Sequence, residues 1–334
     1  MRTARGLFHQ LCQIHELEAA AWATVRGKRR RADVARFIFR LDGELAALSN
    51  GLETGVYRPS DIEVVSIRDP KPRLIARVPI RDRVVQTALV RQFEPVFEPG
   101  YSPDDYACRP GFGTHRAVLR LWELMRRFRF AVHLDVHAYF PSIDPDILRP
   151  ILSRRIRDES FLSILDHGLN GGRRLYVDSR HRQAAALDPS WPPPGRGLAV
   201  GSYTSQIFAA HIYLNTFDHW VKRDLKVPGY LRYVDDMFLF GNRRRDLRQW
   251  RHAVGDWLYE QRHLRLKHPQ ARILSCRGHL DALGHRIRRD HVEALPRASR
   301  RFARTLAQAL DPFGRPPRLD LNRSIAASLG VLLV

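Results

Sequence analysis

The chain has 334 residues, 44% of them hydrophobic, which is enough for a sizeable core and, at this length, for more than one domain or subdomain. Lys and Arg number 56 against 35 Asp and Glu, a formal charge of +21 spread over the whole chain; this suits a body lying along a polyanion, although arginine-favouring codon usage gives the same balance. Three scattered cysteines without a Cys-x-x-Cys pair speak against a zinc site or a disulfide framework and fit a reducing, intracellular setting, and with no run of about 18 apolar residues and a basic start short of apolar residues, neither a membrane span nor a signal peptide is expected.

In chain order, Leu7, Leu11, Ile14, Leu17 and Ala21 recur at helical spacing and predict a helix over 7–26. A second helix is expected over 32–50, stopped by Gly51. Ile62-Glu63-Val64-Val65 and Arg73-Leu74-Ile75-Ala76-Arg77-Val78 flank Asp69-Pro70-Lys71-Pro72 as a hairpin. Helices follow over 81–98 and 114–128, then a buried strand over 130–136 and a helix over 145–167. The Gly-, Pro-, Arg- and Asp-rich stretch 168–196 reads as a loop insertion, followed by a helix over 202–224. Tyr230 to Tyr233 and Met237 to Phe240 form a hairpin around Val234-Asp235-Asp236, then come a helix over 245–262 and short strands over 271–288. Helices at 298–311 and 319–334 end in the apolar run Val331-Leu332-Leu333-Val334. The mixture indicates an α+β fold.

Asp135 closes the apolar strand Ala131-Val132-His133-Leu134, and Asp235 and Asp236 sit side by side in a hairpin turn. Adjacent carboxylates repel and give local folding nothing, but a divalent cation neutralises them, and Mg²⁺ is commonly held by one or two carboxylates plus substrate phosphates. An exposed acidic turn is the plain alternative.

Tyr233-Val234-Asp235-Asp236 resembles the signature turn of reverse transcriptases, and Leu134-Asp135-Val136-His137-Ala138-Tyr139-Phe140-Pro141-Ser142-Ile143-Asp144 resembles their first catalytic motif. Pro70 to Ile75 with Pro79 to Gln86 resembles the fingers segment, Tyr106 to His115 the next block, and Leu283-Gly284-His285 the primer-grip hairpin, so the likeness covers roughly residues 60 to 290. Gly197-Leu198-Ala199-Val200-Gly201-Ser202-Tyr203-Thr204-Ser205-Gln206 is similar to the diversity-generating retroelement branch, where a β-branched residue replaces the glutamine before the second glycine in group II intron enzymes.

The resemblance implies a right-hand polymerase: an N-terminal helical segment (1–55), fingers (56–129), a palm of antiparallel sheet and helices (130–288) and a short, incomplete helical thumb (289–334). It implies RNA-templated DNA synthesis by two-metal nucleotidyl transfer, error-prone and serving sequence diversification. Asp135, Asp235 and Asp236 are then the catalytic metal ligands, joined by the Val136 carbonyl, with two Mg²⁺ ions, Mn²⁺ substituting, as cofactors. Lys71, Arg73, Phe140, Val200, Gly201 and Gln206 are implied nucleotide-binding residues, with Phe140 under the sugar and Gly201 allowing close backbone approach. Tyr233, Leu283 and Gly284 are implied primer contacts, Lys267 a general acid and Ser205 a template-orienting residue. Each has a plain alternative: Phe140 and Val200 as packing residues, Lys71 and Arg73 as surface charge, Ser205 as a helix cap, His285 as an ordinary strand residue, and Arg81 and Arg83 as template contacts or partners of Asp82.

The implied partners are an RNA template, a DNA or RNA primer, dNTPs and a small helical accessory protein, with no membrane, in a bacterial or phage-encoded cytoplasmic setting. A group II intron-like or defence-associated enzyme keeps the same chemistry. A non-catalytic RNA-binding scaffold is the reading from another class, and the three aspartates argue against it.

Overall fold

The computed structural model describes residues 3–68 and 71–296, together with 300, 303 and 307. The Asp69-Pro70 turn and the C-terminal helices expected at 298–311 and 319–334 lie outside the described residues. The chain forms two compact units, each assembled from separated stretches: Met1–Tyr101, Val136–Thr216 and Leu258–Arg265 make the first, and Ser102–Asp135, Phe217–Trp257 and Leu266–Val334 the second. The interleaving differs from the consecutive domain boundaries read from the sequence.

In the first unit, the stretch expected as one helix over 7–26 is two, Leu7–Cys12 and Ile14–Val25, because Gln13 takes an extended conformation between them. The next divides at Arg40 into Ala32–Phe39 and Leu41–Glu53, and it runs through Gly51 rather than stopping there. These helices pack on Ile80–Phe97 through Leu11, Leu17, Leu48, Leu52, Val84 and Phe93, all fully buried or nearly so. Each such side chain stabilises the fold by about 1.5–3 kcal/mol over an exposed one. Strands β1 (Glu63–Ile67) and β2 (Arg73–Arg77) form the expected antiparallel hairpin, with Glu63 opposite Arg77 and Ile67 opposite Arg73.

The helix expected over 145–167 breaks at 154–158, and about half of the loop expected over 168–196 is helical. Pro145–Ser153 is followed by Glu159–Leu175 and Ser179–Ala184, each capped by an aspartate, Asp144, Asp158 and Asp178, that accepts a backbone N–H. Leu162, Leu165, Leu169 and Leu175 carry the apolar stripe through the glycines. Gly172 reads as a breaker but serves close packing, since a Cβ there would lie 2.4 Å from the Gly197 carbonyl oxygen. The helix expected over 202–224 is three pieces, Tyr203–Ile207, a π-helical turn Phe208–Ile212, and Asn215–Arg223.

The second unit is built on a four-stranded antiparallel sheet of β3 (Phe130–Asp135), β4 (Gly229–Tyr233), β5 (Asp236–Gly241) and β6 (Leu274–Ser275), in the order β4-β5-β3-β6. The helix Thr114–Arg127 lays Ala117, Val118, Leu121, Leu124 and Met125, with Phe128 just after it, against Ala131, Leu231, Phe238 and Phe240 of this sheet. A smaller sheet of β7 (Leu280–Ala282), β8 (His285–Ile287) and β9 (Val292–Ala294) adds Leu280, Ala282 and Ile287 to the same core. Between β7 and β8, Leu283 and Gly284 have φ of 51° and 86°, the positive pair that a two-residue type I′ hairpin loop requires.

Candidate active site

The acidic residues occupy one end of the second unit's sheet. Antiparallel registry sets Asp135, the last residue of β3, directly opposite Asp236, the first of β5. Directly opposed residues project to the same face with Cβ atoms roughly 4.5–5.5 Å apart. Two strands distant in sequence therefore bring two carboxylates side by side. Asp235 is the second residue of the two-residue loop joining β4 to β5, closed by the Tyr233–Asp236 pair. Val234, the first loop residue, has φ of 57°. A β-branched residue there is strained, at a cost of about 1–3 kcal/mol, and persists only where its surroundings fix it.

The side chain that fixes it is Arg232. Its guanidinium is fully buried and donates from Nη1 to the Val234 carbonyl at 3.0 Å. It also donates to Asp218 from Nε at 2.8 Å and from Nη2 at 2.7 Å, and pairs with Asp105 at 2.9 Å. Tyr230 donates its hydroxyl to Asp218 at 2.7 Å. Burial works against the guanidinium's charge, but Asp105 and Asp218 hold its pKa well above the usual value. Burial, reinforced by the neighbouring Asp105 carboxylate, pushes Asp218 up against the pull of Arg232. The cluster thus sets one buried cation against two buried carboxylates, immediately beneath the turn that carries Asp235.

Two further side chains touch the acids. His133, two residues before Asp135 and on the same face of β3, donates from Nε2 to Asp236 Oδ1 at 2.6 Å and stacks on Phe238 with ring centres 4.4 Å apart. Lys267 lies with Nζ 3.4 Å from Asp135 Oδ2, and its backbone N–H donates to the Asp135 carbonyl at 2.8 Å. Tyr233 shares a hydrogen bond of 3.0 Å with Thr114 at the start of the helix Thr114–Arg127. Sequence pattern alone does not single out His133 or Arg232. The available signals are the two-residue period that puts His133 on the face of Asp135, and a charged residue inside the apolar run Tyr230 to Tyr233.

Among the described residues, no three His, Cys, Asp or Glu side chains stand gathered as a ready-made metal cage. The donor chemistry still suits a hard cation such as Mg²⁺, which needs only one or two carboxylates when substrate phosphates complete its shell. Asp135 and Asp236 are about one-third exposed, so their oxygens reach solvent.

The first unit holds Val136, which follows Asp135 in the chain, and the residues implied for nucleotide binding. Lys71 precedes β2 and Arg73 begins it, both exposed. Phe140 is half-buried, with its ring 6.0 Å from that of Tyr139. The Val200 carbonyl accepts the Ala76 N–H at 2.7 Å, which fastens its loop to β2. Gly201 lets the same loop approach that strand closely, for with φ of 102° a Cβ there would lie 2.6 Å from the Ala76 carbonyl oxygen. Ser202, not Ser205, caps the helix Tyr203–Ile207; Ser205 is buried inside it and Gln206 is exposed. Asp82 is not the partner of Arg81 or Arg83, for it accepts the Tyr57 hydroxyl and the Ser60 N–H, both at 2.9 Å. Asp144 is likewise engaged, with Arg196 at 3.3 Å and His263 at 3.0 Å. In the second unit, His285 is a buried β8 residue whose Nδ1 lies 3.0 Å from the Leu283 carbonyl oxygen.

No protein-family model matches the chain. Curated proteins similar to it include protein YkfC of Escherichia coli (strain K12), 27% identical over 64% of this chain and 51% of that protein. The uncharacterized 91 kDa protein in the cob intron of Schizosaccharomyces pombe is 28% identical over 42% of this chain and 16% of its own length. The putative COX1/OXI3 intron 2 protein of Saccharomyces cerevisiae is 22% identical over 60% and 23%. Among solved structures, apo telomerase from Candida tropicalis superposes with a TM-score of 0.45 at 10% identity, over 82% of this chain and 57% of that one. The chain spans about half the length of the first curated relative and under a quarter of the other two, and it is related in sequence to intron-encoded proteins.

Proposed function

We propose that the chain is an RNA-directed DNA polymerase of the reverse-transcriptase type, extending a primer 3′-hydroxyl at Asp135, Asp235 and Asp236. The observation that carries this reading is the registry setting Asp135 opposite Asp236 beside the turn bearing Asp235. The similarity to two intron-encoded proteins supports it.

Two Mg²⁺ ions, with Mn²⁺ as substitute, are the proposed cofactors, held by the three aspartates and the Val136 carbonyl. When bound, they supply Lewis-acid activation of the hydroxyl and neutralise phosphate charge. The chain's own groups orient the reactants. His133 fixes the rotamer of Asp236, Arg232 fixes the turn, and the Lys267 ammonium beside Asp135 is a proton donor for the departing pyrophosphate. Lys71 and Arg73 bind the triphosphate, Arg73 through its planar fork of donors. Phe140 lies under the sugar, Val200, Gly201 and Gln206 line the nucleotide, and Tyr233 with Leu283-Gly284 holds the primer. An RNA template, a DNA or RNA primer and dNTPs are the partners, with a small helical accessory protein.

The finer assignment, error-prone synthesis of the diversity-generating kind, rests on Val200 where glutamine is the alternative. An apolar side chain offers the base pair no hydrogen bond. Val200→Gln lowers misincorporation on mixed-sequence RNA under this reading; an unchanged error rate removes it. The intron-encoded relatives favour a second setting, an intron-associated enzyme with the same chemistry.

Primer extension on an RNA template with Mg²⁺ tests the main reading. The wild type is expected to extend, and Asp235→Ala is not. A wild type that binds RNA without extending it, across templates and with either metal, would favour the scaffold.

A further inference from the structure

The sheet of the second unit carries opposite charge at its two ends. One end bears Asp135, Asp235 and Asp236. At the other, β3 begins just after Arg127 and Arg129, β5 runs out into Arg243, Arg244 and Arg245, and all five side chains are exposed. Registry fixes this convergence, since Phe130 pairs with Gly241. The Arg129 N–H also donates to the Asn242 side chain at 3.2 Å. The six residues of β3 separate the two ends by roughly 17 Å.

They contrast with four arginines elsewhere in the chain, three exposed and Arg286 half-buried, each of which has a carboxylate partner. Arg31 pairs with Asp33 at 2.8 Å, Arg77 with Glu63 at 3.2 Å, Arg180 with Asp178 at 3.0 Å and Arg286 with Asp281 at 2.8 Å. At the arginine end, none of the five has a carboxylate within ion-pairing distance among the described residues. Three of them lie over aromatic rings. Arg127 lies over Phe128 at 5.5 Å, while Arg129 and Arg244 lie over Phe130 at 5.9 and 4.7 Å, and Arg244 also donates from Nη1 to the Ile273 carbonyl at 3.1 Å. A guanidinium over a ring keeps N–H groups for a phosphate, which arginine binds bidentately.

We propose that this end of the sheet binds the phosphate backbone of a nucleic acid, at a place separate from the carboxylates and without reading bases. Guanidinium groups cover the aromatic rings, so the surface offers charge rather than a stacking platform. An anionic membrane fits less well: an interfacial segment needs exposed apolar side chains beside its cations, and the nearest in sequence is Leu119, back along the helix Thr114–Arg127.

The test is equilibrium binding of the full chain to single-stranded, mixed-sequence RNA, so it does not depend on polymerase activity. Arg127→Ser, Arg129→Ser, Arg243→Ser and Arg245→Ser are combined and compared with a control combining Arg31→Ser, Arg77→Ser, Arg180→Ser and Arg286→Ser, which removes equal charge. Between about 50 and 200 mM salt, each lost phosphate contact flattens the slope of log K against log salt by about 0.7, so the first set is expected to lose about 3 and the control little. Equal losses in both sets, or no change in the first, would overturn the proposal. So would lost binding to phosphatidylserine vesicles with RNA affinity intact. Should the fourfold variant fail to fold, Arg243→Ser with Arg245→Ser carries the same test, with an expected loss of about 1.4 in slope.

Discussion

Replacing Arg232 by methionine keeps much of the side chain's volume and removes its charge. The variant leaves Asp105 and Asp218, each no more than 1% exposed, without their cation. Removing one partner of a buried ion pair costs about 3–5 kcal/mol, because the remaining charge is neither solvated nor neutralised. The Val234 carbonyl also loses its donor, at a spot where the backbone is already strained. Set against the 5–15 kcal/mol by which whole domains are stable, this loss is severe. Urea unfolding followed by tryptophan emission is a suitable assay, since Trp220 and Trp257 stack 5.7 Å apart in the same unit. The midpoint is expected to fall by about 1–2 M. Asp218→Asn is the companion variant: it leaves one cation facing one carboxylate and keeps an oxygen for Tyr230, so it should cost under about 2 kcal/mol. A loss below about 1 kcal/mol for Arg232→Met, or an equal loss in both variants, would refute the idea that Arg232 holds an overcharged acidic pocket together.

The same cluster makes a pH prediction. Burial holds Asp218 above its ordinary value of 3.8, so the native state binds that proton more tightly than the unfolded chain; the resulting stability is complete below 3.8 and is lost as pH rises through the folded value. Asp218→Asn should therefore become less unfavourable relative to wild type as pH rises above about 4, and a difference constant with pH would contradict this. Burial also pushes the Cys12 and Cys276 thiols up to about 11, whereas Cys108 is exposed. One of the three thiols should react with a disulfide reagent in the native protein at neutral pH and all three after unfolding; fast native reaction of a second would refute that burial. Gly201→Ala should destabilise by more than about 1 kcal/mol, since the new Cβ meets the Ala76 carbonyl from a left-handed backbone; unfolding that matches wild type would show that β2 can move away.

Local pattern reaches as far as local physics decides the outcome. The hairpins at 63–77 and 229–241 and the helices Ile80–Phe97, Thr114–Arg127 and Arg244–Arg262 stand where periodicity and turn residues put them. The last two turns of the helix Glu159–Leu175 are hidden in the sequence because Gly171, Gly172 and two arginines look like a loop, whereas the glycines admit neighbouring backbone and side chain. Gly201 likewise reads as room for a close approach, and a neighbour that makes that approach is β2. In both cases the packing partner lies far along the chain.

The acids show where hydrophobic periodicity stops and where motif takes over. Asp82, Asp105, Asp144 and Asp218 are carboxylates near apolar runs, as Asp135 and Asp236 are, and periodicity does not separate the two groups, whereas the adjacency of Asp235 and Asp236 and the motif around Asp135 do. The fold separates them by where their partners are. Asp105 and Asp218 close on Arg232, Asp144 on Arg196 and His263, and Asp82 on Tyr57, all nearly out of reach of solvent. Asp135 and Asp236 instead stand at strand ends, partly exposed, each beside one basic side chain: a lysine at 3.4 Å and a histidine at 2.6 Å. Two like charges held adjacent by strand registry, with no buried cation between them, repel one another and add nothing to the sheet. The fold shapes the neighbouring turn with a buried arginine between two carboxylates yet leaves this pair half open, with Lys267 and His133 as its nearest basic groups, and under the proposed function this edge is where a divalent cation would be taken up.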